Sequence, residues 1–354
     1  MSKIIKLHNS KIYFWLLCIT LAFFFSLLTL ELVYRLQIID TYSPELRSYN
    51  SEEDLVELKN RKTILVMGDS FTAGEKSYVN ILKTNLPKYR IINSGISGTG
   101  IIEALIVTPR RFEKFNPSIF IYQVYVGNDL FDITHPVNWE KVSLLRGIYW
   151  KISDSFRSIG FLNYRLMHVF VNIHKFMSGR LKDNNNKPTG FGIDESEIFS
   201  FEKYTMRPVI YFRAEPNLLE NQIMVKDSRK KDYEIFQGKL EKLTSYCKPN
   251  QCKAFVLIIP HCCQINRKYI ENMRALGAEF HDPKEILNSN YPFFEKTREK
   301  LKDKPNVVVL NPIKLLKDME IIKKSMYFQN DDHLTAEGQE AIAKFIIDQL
   351  HLKE

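Results

Sequence analysis

Thr63-Ile-Leu-Val-Met67, followed at once by Gly68-Asp69-Ser70-Phe71, is the stretch on which the fold turns. The first five residues form a short apolar run of the kind that a strand buried on both faces requires, as in a parallel sheet. A Gly-Asp-Ser turn directly after such a strand places the Ser70 hydroxyl at the carboxyl edge of the sheet, where open α/β sheets bind ligands. Taken alone the turn is a weak signal, because Ser and Asp after a strand often cap the next helix.

Outward from this stretch, short apolar runs alternate with amphipathic ones. The pattern predicts helices over Tyr78 to Leu86 and Ile101 to Phe115, and strands over Tyr89 to Ile92 and Ser118 to Val126. Later come a helix over Tyr233 to Tyr246, a strand over Lys253 to Ile259, a helix over Tyr291 to Lys302, a strand over Asn306 to Leu310 and a closing helix over Thr335 to Leu350. Parallel neighbours need crossover connections, so this alternation predicts a three-layer α/β/α sandwich around a mostly parallel sheet, flavodoxin-like in plan. An aromatic region over 132–231 interrupts it with Trp139, Trp150, helical periodicity from Gly147 to Met177 and a polar loop at Lys182 to Lys187. It reads equally well as a lid or substrate platform and as a helical excursion without function.

Ahead of the sheet, Ile12 to Leu30 runs nineteen residues without a charge, long enough to cross a hydrocarbon core of about 30 Å. Lys3, Lys6 and Lys11 precede it, which predicts a cytoplasmic N-terminus and a catalytic domain on the periplasmic or extracellular side. Glu31-Leu-Val-Tyr-Arg35 offers no small-residue cleavage pair, so a retained signal-anchor is favoured over a cleaved peptide. The expected organisation is a cytoplasmic N-terminus and transmembrane anchor over 1–35, a polar connector over 36–61 that lifts the domain off the bilayer, and a catalytic domain over 62–354.

The 354 residues are 45% hydrophobic, enough for a sizeable core, and the net charge of +9 is scattered rather than gathered in a block. No zinc-finger spacing, basic-region heptad or RNA-recognition signature appears, which argues against a nucleic-acid partner. Cys247 and Cys252 bracket a turn-like Lys-Pro-Asn-Gln and are placed to close a small disulfide loop in an exported domain. Adjacent Cys262 and Cys263 suit a buried or otherwise paired role better than a catalytic one, and Cys18 lies in the span.

Three further blocks follow strands or precede a helix, so folding should gather them near Ser70: Asn93-Ser-Gly95-Ile-Ser-Gly98-Thr99, Gly127-Asn128-Asp129 and Asp331-Asp332-His333. Together with Gly68-Asp69-Ser70 the ordered set resembles the SGNH/GDSL hydrolase superfamily over about Thr63 to Leu350, the aromatic insertion being least matched. The resemblance implies Ser70 as nucleophile, Gly98 and Asn128 with the Ser70 N–H as oxyanion hole, and His333 as base. Gly98 is preferred to Gly95 because Ile96-Ser97-Gly98-Thr99 aligns best. The family's usual acid position, three residues before the histidine, is Asn330 here. Asp331 and Asp332 are the available carboxylates; two-residue spacing in an extended segment favours Asp331 and turns Asp332 away.

These residue types suit acyl transfer. A neutral hydroxyl needs an imidazole to take its proton, and a tetrahedral oxyanion needs donors already aimed at it. No metal or other cofactor is required. The expected anchor, with the Phe255-Val-Leu-Ile-Ile-Pro260 and His333-Leu-Thr-Ala-Glu-Gly338 segments, is also similar to membrane-anchored proteins of this type that acylate or deacylate envelope polysaccharides, which implies an O-acyl, chiefly acetyl, ester of carbohydrate as substrate. Three readings stand open: a serine esterase, an O-acyltransferase taking its acyl group from a membrane donor protein, and a non-catalytic anchored glycan-binding module. Among lesser candidates, Asp69 reads as a turn stabiliser and His261 as structural or surface rather than substrate-touching. His168 and His174 lack metal-ligand spacing, and the glycines Gly95, Gly98 and Gly100 lack the Lys-Ser/Thr or the glycine order of a nucleotide loop.

Overall fold

The computed structural model describes residues 2–56, 61–166, 198–204, 206–322 and 325–351. His168, His174 and the Lys182 to Lys187 loop lie outside them. Five strands, β1 (Thr63–Met67), β2 (Arg90–Asn93), β3 (Ile119–Tyr125), β4 (Lys253–Ile259) and β5 (Val307–Leu310), form one sheet in the order β2-β1-β3-β4-β5. Every pairing is parallel, with Leu65 opposite Ile92 and Phe120, and Tyr122 opposite Val256. Strand β1 is buried along its whole length, as its unbroken apolar run requires.

Helices cover both faces. Ile101–Phe115 packs against β1 and against Arg229–Ser245, while Tyr78–Asn85 packs against β2 and against the closing helix Ala336–Leu350. The two covering pairs have different starts. Glu103 returns a side-chain bond to the Gly100 N–H, whereas Thr335 caps the last helix by accepting the Gly338 N–H at 3.2 Å. The Tyr78 N–H donates to Gln339 Oε1 at 2.8 Å, locking the first crossover helix to the last.

The N-terminal helix runs Ser2–Arg35, and within its Tyr13–Arg35 part an 18-residue window has a mean hydropathy of 2.3 with almost no burial. It is long and apolar enough to cross a membrane. Its last turns, and the segment after them, depart from the expected spacer. Tyr34 is buried between Tyr42 and Phe161, its hydroxyl 2.8 Å from that of Tyr42. Asp40 takes a bidentate bond from buried Arg111 at 2.6 and 3.0 Å, and Asn50 exchanges bonds with the Asn93 backbone at 2.7 and 2.9 Å. Over 36–56 several polar residues, Asp40, Glu45 and Asn50 among them, are packed onto the domain by partners distant in sequence.

Of the 132–231 insertion, the structure describes helices Leu144–Ser155, Met206–Ala214 and Leu218–Met224. Trp150 is buried there against Ala214, with its ring stacked on His135 at 5.3 Å. Cys247 and Cys252 are joined in a disulfide, and Cys262 and Cys263 are free and buried.

Candidate active site

Ser70 sits in the turn that follows β1. Asp69 shapes that turn: its carboxylate accepts the Phe71 N–H at 2.9 Å and its carbonyl accepts the Ala73 N–H at 2.9 Å. The next helix begins only at Tyr78, so neither Asp69 nor Ser70 caps it, and the Ser70 hydroxyl is left for other work. Burial raises the Asp69 carboxyl to about 6, against the Phe71 N–H bond, the nearby His333 charge and the neighbouring amides of Gln123 and Asn128. That the Asn128 amide helps hold this value down means that the Gly-Asn-Asp turn after β3 lies near the residue preceding Ser70.

From the other end of the chain, the loop 325–335 is pinned beside this turn. Tyr327 pairs with Leu334 in an antiparallel bridge, the Thr335 N–H donates to Met326 O at 3.0 Å, and the Tyr327 hydroxyl donates to Pro260 O at the end of β4. Gly338 is needed here because a Cβ on it would meet Met326 O at 2.3 Å. The loop delivers His333 Nε2 to 2.7 Å from Ser70 Oγ, across 263 residues of sequence. On the far side of the ring, Nδ1 bonds to Asp331 Oδ1, and the same oxygen accepts the His333 N–H at 2.9 Å. The imidazole stacks on Phe71 at 4.9 Å, and Phe71 in turn meets Tyr125 at 4.3 Å.

Electrostatics follow from these partners. Burial works against a charged imidazolium, but the Asp331 hydrogen bond and charge, with Asp332 and Asp69 behind them, prevail and raise His333 to about 9. Asp332 does not turn fully away, as the two-residue alternation predicts: its Oδ1 lies 3.7 Å from His333 Nδ1. Asn330 directs its carboxamide to the insertion, accepting the Ser200 N–H at 2.7 Å and donating to Ile198 O at 3.0 Å.

The second block reaches the same rim. The Ser94 N–H donates to Val66 O at 2.8 Å and the Ile96 N–H to Gly68 O at 2.9 Å, so the loop after β2 is laid along the entry to the Ser70 turn. Gly98 lies exposed on this loop with φ +71, a conformation that favours glycine. Gly95 has a different task, because a Cβ there would sit 2.6 Å from the Ala73 nitrogen. His261 is buried rather than on the surface. Its Nδ1 accepts the Cys263 N–H at 3.2 Å and its ring stacks on Tyr125 at 5.8 Å.

Two groups among the described residues bring three possible metal-ligand atoms within 4.8 Å: His261 with Cys262 and Cys263, and Asp331 with Asp332 and His333. In each the imidazole Nδ1 already has a protein partner. What sequence reasoning missed lies behind the site. Tyr125 carries no motif, and its role shows only once β3 and the His333 loop meet.

No family model and no curated protein sequence matches the chain. Solved structures do. A catalytic mutant of an acetylxylan esterase from Geobacillus stearothermophilus is 9% identical, covering 84% of this chain and 98% of its own with a TM-score of 0.40. A putative lipolytic protein of the G-D-S-L family from Desulfitobacterium hafniense is 11% identical, covering 81% and 98% with a TM-score of 0.37. A structure of TesA is 13% identical, covering 82% and 98% with a TM-score of 0.37.

Proposed function

We propose that the protein is a serine ester hydrolase of the SGNH/GDSL type, held at a membrane by its N-terminal helix with the site on the outer side. The observation that carries this reading is the line Ser70 Oγ, His333 Nε2, His333 Nδ1, Asp331 Oδ1, in which a hydroxyl, a base and an orienting carboxylate are already in hydrogen-bond contact.

In this mechanism Ser70 Oγ attacks the ester carbonyl carbon while its proton passes to His333 Nε2. Asp331 fixes the Nδ1–H tautomer and stabilises the imidazolium that forms. The oxyanion is received by the Ser70 and Gly98 N–H groups and the Asn128 amide, a set for which losing one donor typically costs about a hundredfold or more in rate. The carbon–oxygen bond to the alcohol then breaks, the alcohol leaving with the proton from His333. Water adds to the acyl-Ser70 ester and gives its proton to the same nitrogen; the bond from the acyl carbon to Ser70 Oγ then breaks, Oγ takes the proton back from His333 Nε2, and the acid departs. The substrate class we assign is an O-acyl, chiefly acetyl, ester of an envelope carbohydrate, supported by the ordered sequence blocks and by the apolar N-terminal helix with Lys3, Lys6 and Lys11 ahead of it.

The test is fluorophosphonate labelling of wild type and Ser70→Ala, followed by acetate release with and without a sugar acceptor. Labelling and hydrolysis that both vanish in Ser70→Ala support the reading. Slow hydrolysis with acyl transfer to the sugar would instead make it an O-acyltransferase. Absent labelling with retained glycan binding would make it a binding module.

A further inference from the structure

We propose, resting on the esterase reading, that the membrane helix is a working part of the catalytic site: Glu31, in its last turns, is a positioning residue for both oxyanion loops. Glu31 ends a long uncharged run, yet it is only 8% exposed. Its Oε1 accepts the Arg157 N–H at 3.1 Å and its Oε2 the Ser158 N–H at 2.8 Å. The carboxylate thus sits on the first N–H groups of the helical stretch that begins at Arg157, where such groups lack partners of their own and favour an anion. Arg35, one turn on, braces the same carboxylate at 2.6 Å.

Arg157 continues the path. Its guanidinium donates to Asp132 O and Ile133 O, both at 2.9 Å, and the Asp132 N–H donates to Asn128 O at 2.9 Å. This ties the turn carrying the Asn128 amide to the helix that bears Glu31. A second branch runs from Arg157 to Glu103 at 3.9 Å, whose other oxygen accepts the Gly100 N–H at 3.2 Å, two residues from Gly98. The two branches close on each other, since a Cβ at Gly100 would lie 3.0 Å from the Asp132 Cβ. One arginine therefore sets the spacing of both donor loops, and the membrane helix sets the arginine. Misplacement of reacting groups by about 1 Å can cost a hundredfold in rate, so a brace of this kind acts on kcat.

The experiment uses the full chain in lipid nanodiscs and compares wild type, Glu31→Gln, Glu31→Asp and Ser70→Ala. Glu31→Gln should lower kcat on an aryl acetate by about tenfold or more with KM little changed and the thermal midpoint held, and Glu31→Asp should recover part of the loss. In parallel, amide hydrogen exchange over 98–100 and 127–133 should quicken in Glu31→Gln while β1 and β4 stay protected. Wild-type exchange in those loops would overturn the proposal whatever the enzyme does. So would a kcat loss that follows a fall in thermal midpoint. Hydrolysis that persists in Ser70→Ala would sink the esterase reading alone, and the exchange result would still decide the brace.

Discussion

The Tyr125 hydroxyl donates to the Asp332 carboxylate at 3.2 Å, and so fixes a second negative charge beside the His333 ring that Asp331 already holds. Tyr125 is itself clamped between Phe71 and His261, so the charge does not drift with a mobile surface side chain.

The pH profile should report this arrangement. A base must be neutral to accept a proton, and His333 is raised to about 9, so kcat/KM should climb from pH 7 and reach half its plateau near pH 9. Asp332→Asn should move that midpoint down with little change in the plateau. A wild-type midpoint near the ordinary histidine value of about 6.5 would contradict the electrostatics. The same shift has a stability sign. Because the folded value lies above the unfolded one, the His333 pair adds stability that is fully present below about pH 6.5 and is lost as pH rises through about 9.

Asp331→Asn keeps the shape but offers a wrong donor to Nδ1. By analogy with comparable triads, kcat should fall by about 10⁴-fold while the thermal midpoint stays near wild type. An effect under tenfold, measured as kcat on an aryl acetate, would transfer the orienting role to Asp332.

Gly95 and Gly98, three residues apart on the loop after β2, should separate. At Gly98 an added Cβ meets nothing within 4 Å, so Gly98→Ala should cost only about 1 kcal/mol of left-handed strain and lose activity by about tenfold or more through a rotated N–H. At Gly95 the Cβ would strike the Ala73 backbone, so Gly95→Ala should cost about 2–3 kcal/mol in denaturant unfolding. Equal stabilities for the two variants would refute the distinction.

Arg111 is almost wholly buried, paired bidentately with Asp40 and bonded to Ser94 Oγ at 3.1 Å. Removing one member strands the other charge, so Asp40→Ala should destabilise the fold by about 3–5 kcal/mol. Urea unfolding would show it, and a loss under about 1 kcal/mol would mean that the segment after the apolar helix is only loosely held.

The sheet was legible because parallel strands are written as continuous apolar runs: the strands Thr63–Met67 and Lys253–Ile259, and the helix Ile101–Phe115, fall where the pattern places them, and the ends of other elements differ by a residue or a few. The Ser70, Asp331 and His333 cluster was legible because each lies in a short block next to a strand end or a helix start. The packed segment after the span was not. Gln37, Glu45 and Asn50 are polar and read as solvated, and only partners such as Arg165 and Asn93, far away in sequence, bury them. Arg267–Ala275 shows the same limit, since a helix with charges on most of its length leaves only Tyr269, Ile270 and Met273 to mark its inner face. Asp332 was misjudged because strand alternation fixes where a Cβ points but not where the Tyr125 hydroxyl, 207 residues away in sequence, will draw a carboxylate.

Tyr34 belongs to the apolar helix by sequence and to the folded body by packing, wedged against Tyr42 and Phe161. Severing the chain just beyond it would leave a hole where an aromatic ring had been, and would also strip Arg157 of its cap. A version of this molecule without its apolar helix cannot be made by cutting at the helix end; it must keep the last two turns and clothe their outer side in polar residues.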